Sequence, residues 1–228
     1  MDDNTQLLTL FDELRVADVR DGLDWVGMMH YGSMSPDIRP LYRTRAVGIA
    51  RTARYLPYGG PLPEVRGEDY TAWSNWYYGE VCTYPWESEI QPGDLVVIDA
   101  SGVDAGLLGS NNTLAGVQCG VRGYVTSGGI RDTDEVVMQQ IPCWSRYASQ
   151  GMVQGRLQYD AHNVPIAVGG VLVNPGDVVV ADGDGVIVVP RHMACEVAKF
   201  ALRELTGDKQ SRRARYEALG RDLDESVR

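Results

Sequence analysis

The hydrophobic and polar positions of this chain change their spacing along its length. Apolar residues recur at helical spacing over residues 7–25, which predicts one helix or two helices broken near Val16. A similar stripe over residues 193–205 predicts a C-terminal amphipathic helix, followed after Gly207 by a highly charged tail. Strands are predicted at residues 45–55, 95–99, 123–126, 143–147, 178–182 and 185–189.

Short helices are predicted between the central strands, at residues 111–120 and from Asp132 to about residue 140. This alternation predicts an α/β fold, and 228 residues lie within the size of a single domain, residues 1–228. Residues 57–86 predict no regular element but carry an aromatic cluster, which consists of Trp73, Trp76, Tyr77, Tyr78, Tyr84 and Trp86. We expect these rings to pack against the core or a subunit contact rather than to form a lid over a ligand.

One local pattern occurs twice in the chain. Pro92-Gly93-Asp94 comes directly before the predicted strand 95–99, and Pro175-Gly176-Asp177 comes directly before the predicted strand 178–182. Proline followed by glycine is typical of a tight turn that begins a strand. The repetition predicts two similar β elements around one core.

The charge of the chain excludes one broad class of partner. Its formal net charge is -10 and its sequence pI is near 4.7, so a phosphate backbone would be repelled and nucleic acid is not expected as a ligand. A basic protein partner stays compatible with this charge. Because the sequence has no secretion signal and no apolar run of about 20 residues, we expect a cytoplasmic protein without membrane contact.

Two glycine-containing loops, each between a predicted strand and a predicted helix, are the candidate binding elements. The first comprises residues 106–112, where Gly109 is followed by Ser110, Asn111 and Asn112. Free backbone amides at the start of a helix favour an anion, so this loop predicts a site for a carboxylate or phosphate. The alternative is that Asn111 or Asn112 is only the N-cap of the helix.

The second loop comprises residues 127–135 and contains Arg131 next to Asp132. The planar guanidinium of Arg131 suits a carboxylate or a developing enolate, and Asp132 offers a hard oxygen ligand for a divalent cation. The alternative is structural, because Asp132 and Glu135 have the spacing of a capping box, with Arg131 simply paired to a neighbour. Since both loops open helices, we expect them to face one crevice.

Other residue types narrow the chemistry. The two lysines, Lys199 and Lys209, lie near the C-terminal helix, which leaves a Schiff-base mechanism without a placed nucleophile. The three histidines, at positions 30, 162 and 192, are isolated and lack the spacing of a zinc site. Carbonyl chemistry would therefore use Mg²⁺ or Mn²⁺ bound by oxygen ligands.

These motifs together resemble the RraA-like family, which includes class II 4-hydroxy-4-methyl-2-oxoglutarate/4-carboxy-4-hydroxy-2-oxoadipate aldolases and the regulator of ribonuclease E activity. The resemblance is carried by the following residues: Pro92-Gly93-Asp94, Gly109, Gly129-Ile130-Arg131-Asp132, Glu135, Gly169-Gly170-Val171, Pro175-Gly176-Asp177, Asp182-Gly183-Asp184-Gly185 and Val189-Pro190. It implies a layered α/β/β/α domain assembled as a homotrimer or homohexamer, with active sites between subunits.

The resemblance also implies roles for individual residues. Arg131 would steady a pyruvate enolate, Asp132 would ligate Mg²⁺ or Mn²⁺, and the loop amides at residues 110–112 would hold the carboxylate of pyruvate. The aldolases typically place an acidic residue where this chain has Ser110, so we expect weaker cation binding. An acidic helper from a neighbouring subunit's C-terminal region would be either Asp208 or Glu204.

Two functional hypotheses follow. The first is a divalent-metal-dependent carbon–carbon lyase that acts on a 2-oxo acid through a pyruvate-type enolate, by retro-aldol cleavage or by decarboxylation of oxaloacetate. The second is a non-catalytic acidic regulatory protein that binds a basic protein partner. Ser110 favours the second hypothesis, whereas the pair Arg131 and Asp132 favours the first.

Overall fold

A computed structural model describes residues 3–227 and shows the α/β fold that the sequence predicts. The helices are α1 (Asp3–Phe11), α2 (Val16–Trp25), α3 (Glu68–Trp76), α4 (Ser110–Gln118), α5 (Thr133–Met138) and α6 (Ala194–Ala218). The strands are β1 (Arg39–Pro40), β2 (Ala46–Pro57), β3 (Asp94–Asp99), β4 (Gly106–Leu108), β5 (Gly123–Ile130), β6 (Cys143–Ala148), β7 (Leu157–His162), β8 (Ile166–Val168), β9 (Val171–Val173), β10 (Val178–Asp182) and β11 (Gly185–Val189).

The main sheet is mixed, with a parallel centre and antiparallel edges. Its strand order is β1-β6-β5-β3-β2-β10-β11, with β4 added to β5 and β7 added to β2. The pairs β2 with β3, β3 with β5, β4 with β5, and β5 with β6 are parallel. The carboxyl ends of β4 and β5 therefore lie at the same edge, which is where ligands collect in α/β sheets.

The alternating pattern of the strands separates two layers of packing. Val178 and Val180 of β10 are buried with the residues of α1, α2 and α6. Their neighbours Val179 and Ala181 face the opposite side, where they pack with the hairpin formed by β8 and β9. Because successive strand residues point to opposite faces, one short run of valines joins the helical layer to the second β layer.

The segment before β3 differs from its predicted irregular structure. It forms α3, a π-helical turn over Tyr77–Val81 and a 3₁₀ turn over Pro85–Glu89. Helix α3 buries none of its residues, so it leaves no apolar stripe in the sequence by which it could be recognised. Tyr77 and Trp86 are buried in the core, as the aromatic cluster predicts.

Helix α6 is longer than its apolar stripe predicts and continues through Gly207 to Ala218. Its charged second half is supported by ion pairs one turn apart, between Arg212 and Asp208 and between Arg213 and Glu217. The break near Val16 is confirmed, because α1 ends at Phe11 and α2 begins at Val16. Within residues 3–227, no helix combines the length and apolarity needed to cross a membrane.

The repeated Pro-Gly-Asp pattern forms the same turn twice. Asp94 and Asp177 each accept a hydrogen bond at their side chain from the backbone amide three residues earlier, at 2.9 Å and 2.8 Å. A backbone hydrogen bond closes each turn: the amide of Asp94 donates to the carbonyl of Gln91, and the amide of Asp177 donates to the carbonyl of Asn174. Gly93 and Gly176 have φ angles of +96° and +90°, in the region that residues with a side chain rarely adopt. The pattern therefore encodes a capped turn at the start of β3 and ahead of β10.

The capped turn at Asp177 provides a test of what holds the sheet together. Its carboxylate is 3% exposed and also accepts a hydrogen bond from the amide of Arg191 at 3.0 Å. Replacement Asp177→Ala removes the carboxylate that these part-buried amides bind, and we expect it to lower the free energy of unfolding by about 1–3 kcal/mol in urea titrations. The exposed Asp222→Ala serves as the control. Equal stability of the two variants would contradict this account.

Candidate active site

The candidate site is built where two strands end beside each other and two helices begin. Strand β4 leads through Gly109 into α4, and β5 leads through Arg131 and Asp132 into α5. The amide of Arg131 donates a 2.8 Å hydrogen bond to the carbonyl of Leu108. This bond fixes the two strand ends side by side.

Both loops are shorter than the sequence predicts. Residues 106–108 are strand β4 rather than loop, and residues 127–130 continue β5 rather than leave it. Both segments are fully buried and rich in glycine, and glycine is depleted from ordinary strands. Their strand pairing depends on tertiary contacts that composition does not reveal.

Asp132 faces the neighbouring helix instead of capping its own. It adopts a left-handed conformation, with φ 52° and ψ 43°, which is uncommon outside glycine but tolerated by aspartate. Its Oδ2 accepts hydrogen bonds from the amide and the hydroxyl of Ser110, both at 3.3 Å, and makes no side-chain cap bond to α5. The capping-box alternative is therefore wrong for Asp132.

Arg131 reaches the site across a glycine. A Cβ atom on Gly106 would lie 1.9 Å from Cγ of Arg131 and 2.3 Å from its Cδ, so only glycine leaves room for this side chain. Its Nη2 forms an ion pair with Oδ1 of Asp132 at 3.9 Å, a distance too long for a hydrogen bond. Across residues 3–227 no side chain or carbonyl accepts a hydrogen bond from the guanidinium, so its donors are available to a ligand.

The N-cap of α4 is Gly109, so the alternative in which Asn111 or Asn112 is the N-cap of this helix is wrong. Asn112 instead accepts a 2.7 Å hydrogen bond from the amide of Gly109 and donates a 3.2 Å bond to the carbonyl of Leu107. The oxygen and the nitrogen of its carboxamide therefore fix the backbone at Gly109 and at Leu107. Asn111 is exposed beside the cavity, and its amide group is free to approach a ligand.

These residues line a cavity of about 350 Å³, within the range of small-molecule sites. The strand ends contribute Gly106, Leu107, Gly109, Asn111, Asn112, Arg131 and Asp132. The segment between α3 and β3 contributes Tyr78, Tyr84 and Glu87 to the same lining. Both loops thus face one crevice, as expected. The aromatic cluster packs largely against the core, as expected, and two of its tyrosines, Tyr78 and Tyr84, also line the cavity.

Of these three residues Tyr84 is half-buried, whereas Tyr78 and Glu87 are exposed. Burial raises the pKa of Glu87 above its usual value and raises the pKa of Tyr84 well above that of a free phenol. Burial likewise raises the pKa of Tyr78. The two phenols are therefore neutral at physiological pH. Sequence reasoning missed Glu87, and its only signal was an acid placed next to the aromatic cluster.

The remaining candidate residues lie away from the cavity. His162 contacts Tyr159 and Glu89, His30 and His192 are exposed, and Lys209 pairs with Glu13. The two candidate acids of α6 have partners in their own chain, which are Trp25 for Glu204, and Arg15 and Arg212 for Asp208. Their role toward a neighbouring subunit stays a prediction, as does the trimer or hexamer.

Comparison with known proteins supports the fold and the family. A protein from Halalkalibacterium halodurans, named as a candidate 4-hydroxy-4-methyl-2-oxoglutarate aldolase, is 36% identical over 136 residues, which are 55% of this chain and 60% of that protein. Protein DlpA from Legionella pneumophila is 27% identical over 190 residues, which are 82% of this chain and 28% of DlpA. The chain therefore matches less than two thirds of the length of each relative.

Solved structures resemble nearly the whole chain. An uncharacterized protein from Pseudomonas syringae pv. tomato has a TM-score of 0.75 and 26% identity, covering 98% of both chains. RraAS2 from Streptomyces coelicolor, described as an unusual member of the RNase ES inhibitor RraA protein family, has a TM-score of 0.73 and 29% identity, covering 93% of this chain and 98% of its own. The family model described as RraA-like, Aldolase/RraA, matches residues 16–188, and the chain belongs to this family.

Proposed function

We propose that this protein is a divalent-metal-dependent carbon–carbon lyase that acts on a 2-oxo acid through a pyruvate-type enolate. The observation that carries the proposal is the placement of Arg131 and Asp132, whose side chains face one cavity instead of pairing with their own helix. The family and the name of the Halalkalibacterium relative support an aldolase-type reaction. Retro-aldol cleavage and oxaloacetate decarboxylation both produce this enolate, so we include both reactions.

The residues that line the cavity fit Mg²⁺ or Mn²⁺. The described residues of its lining offer carboxylate and amide oxygens but no thiol or imidazole. Within residues 3–227, no group of three His, Cys, Asp or Glu side chains lies close enough together to hold a metal. Mg²⁺ is usually held through one or two carboxylates and keeps several waters. Asp132 would hold the ion with Asn111 beside it. When bound, the ion supplies Lewis acidity that polarises the keto group of the substrate.

The residues of the chain bind and stabilise the reacting acid. Arg131 presents guanidinium donors to the oxygen on which negative charge develops, and such stabilisation counts most in a site that is partly closed to water. The amides of Asn111 and Asn112, at the positive end of α4, would hold the carboxylate of the pyruvate half. The amide of Ser110 is already bound to Asp132, so its role is to orient that carboxylate.

A second candidate function is regulatory binding of a basic partner. It is favoured by the net charge of -10 and by the similarity to RraAS2. The two functions differ in one measurement, which is pyruvate release from oxaloacetate and from 4-hydroxy-2-oxo acids in the presence of Mg²⁺ or Mn²⁺. No turnover of any of these acids would favour the regulatory protein.

We expect pyruvate release, followed with a lactate-dehydrogenase-coupled assay, to require Mg²⁺ or Mn²⁺ and to stop when a chelator is added. Asp132→Ala removes the carboxylate that would hold the ion, and should lower kcat at least about 100-fold. Asp134→Ala is the matched control, since Asp134 is an exposed acid of the same helix that lies outside the cavity lining. Full activity of the Asp132 variant, or activity in chelator, would refute the proposal.

The passage of Arg131 across Gly106 gives an independent test. Gly106→Ala places a methyl group on the side chain of Arg131 and forces the guanidinium to move. We expect kcat to fall about 100-fold while calorimetric Mn²⁺ affinity stays within about twofold, because a displacement near 1 Å misaligns the reacting groups. Gly207→Ala, at a position in α6 with open space around it, is the control. Wild-type kcat in the Gly106 variant would show that Arg131 does not act on the substrate.

A further inference from the structure

The carbonyl group of Leu107 is held by side chains from two separate segments beside the candidate site. The hydroxyl of Tyr84 donates a hydrogen bond to its oxygen at 2.8 Å, and the carboxamide of Asn112 donates a second at 3.2 Å. A carbonyl oxygen has two lone pairs, so these donors can occupy both. Leu107 lies in β4, shortly before the N-cap of α4, and its position therefore affects where that helix begins.

Asn112 connects this carbonyl to the start of α4. The oxygen of its carboxamide accepts a 2.7 Å hydrogen bond from the amide of Gly109. The carbonyl of Gly109 accepts from the hydroxyl of Thr113 at 2.8 Å and from the amide of Thr113 at 3.1 Å. Both polar groups of the Gly109 backbone are thus bound within the chain, which fixes the backbone at the N-cap.

The backbone fixed in this way carries the amides assigned above to the substrate carboxylate. The amides of Asn111 and Asn112 belong to the first turn of α4, where amides have no acceptor inside the helix. The bonds made by the side chains of Tyr84 and Asn112 end on the backbone of Leu107 and Gly109. They therefore hold the turn without occupying these two amides.

Tyr84 is anchored on its other side by the core. Its ring centroid lies 6.0 Å from those of both Tyr55 and Trp86, which are buried. The hydroxyl of Tyr55 donates a 2.8 Å hydrogen bond to the carbonyl of Thr83, the residue before Tyr84. Burial raises the pKa of Tyr84 well above that of a free phenol, so its hydroxyl keeps the proton that it donates. Tyr84 is therefore a rigid link from the core to β4.

We infer that Tyr84 and Asn112 are positioning residues, which set the affinity for the carboxylate of the 2-oxo acid by fixing the first turn of α4 through the carbonyl of Leu107. The inference rests on the proposed function, because it assumes that the amides of this turn hold that carboxylate. Hydrogen bonds weaken steeply when the donor tilts away from the acceptor. A small displacement of the turn is therefore enough to lower the affinity.

Binding of pyruvate, measured by isothermal titration calorimetry with Mg²⁺ present, tests the role of Tyr84 without turnover. Tyr84→Phe keeps the ring and removes the hydroxyl, so it should weaken pyruvate binding about fivefold, a factor typical of one lost hydrogen bond. Binding of Mn²⁺ alone should stay within about twofold. In oxaloacetate turnover, KM should rise by the same factor while kcat stays within about twofold, because the hydroxyl acts on the backbone instead of on the reacting atoms.

Tyr77→Phe is the matched control. Tyr77 is a buried tyrosine of the same aromatic cluster, and its hydroxyl donates a 2.8 Å hydrogen bond to the carbonyl of Leu157, outside the cavity lining. This variant loses the same kind of bond and should keep the wild-type pyruvate affinity within about twofold. If both variants weaken pyruvate binding equally, the effect of Tyr84 is one of general stability, and the inference is wrong.

The shared carbonyl gives a second test. Asn112→Ala removes the bonds to Leu107 and Gly109 and should weaken pyruvate binding about tenfold. Each single variant keeps one donor to the carbonyl of Leu107, so the double variant with Tyr84→Phe should lose more than the product of the two single losses. A loss equal to that product would show that the two side chains do not act through this carbonyl.

The outcomes separate this inference from the proposed function. If the wild-type protein and Tyr84→Phe bind pyruvate equally, the positioning role is wrong, while a 2-oxo acid site remains. If the wild-type protein binds no pyruvate in the presence of Mg²⁺, the 2-oxo acid site itself is wrong, and the inference falls with it.

Discussion

The parallel pairing of β4 with β5 is the constraint on which the site depends. It ends in the hydrogen bond from the amide of Arg131 to the carbonyl of Leu108, which fixes two strand ends and two helix starts at one point. Without this pairing, Ser110 at the start of α4 would not meet Asp132 at the start of α5. Glycines at 106 and 109 are required because side chains of the second junction occupy the space beside the first.

The sequence predicted the parts of the molecule that local patterns determine. Apolar stripes gave α2 and the first half of α6, and continuous apolar runs gave the strands β3, β10 and β11. Arg131 and Asp132 were candidates because they lie between a strand and a helix, although the same spacing also fitted a structural capping box. The shared crevice was expected because both loops follow a strand and open a helix.

Features that depend on contacts distant in sequence could not be predicted. Helix α3 buries nothing, β4 consists of a glycine and two leucines, and β5 extends through Gly128 and Gly129 into a region that reads as a loop. The same limit applies to Glu87, which reaches the cavity only because the turn that carries it packs across the strand ends. The conformation and the surroundings of these residues are set by tertiary contacts, which residue type alone does not reveal.

Ser110 shows how the charge of the site is balanced. Its amide and hydroxyl both bind Oδ2 of Asp132 at 3.3 Å, so an acidic side chain at position 110 would place a second carboxylate directly against the first. Two carboxylates so close together repel each other unless a cation lies between them. Serine donates to Asp132 from both its amide and its hydroxyl, so it orients this carboxylate without adding a second negative charge beside it.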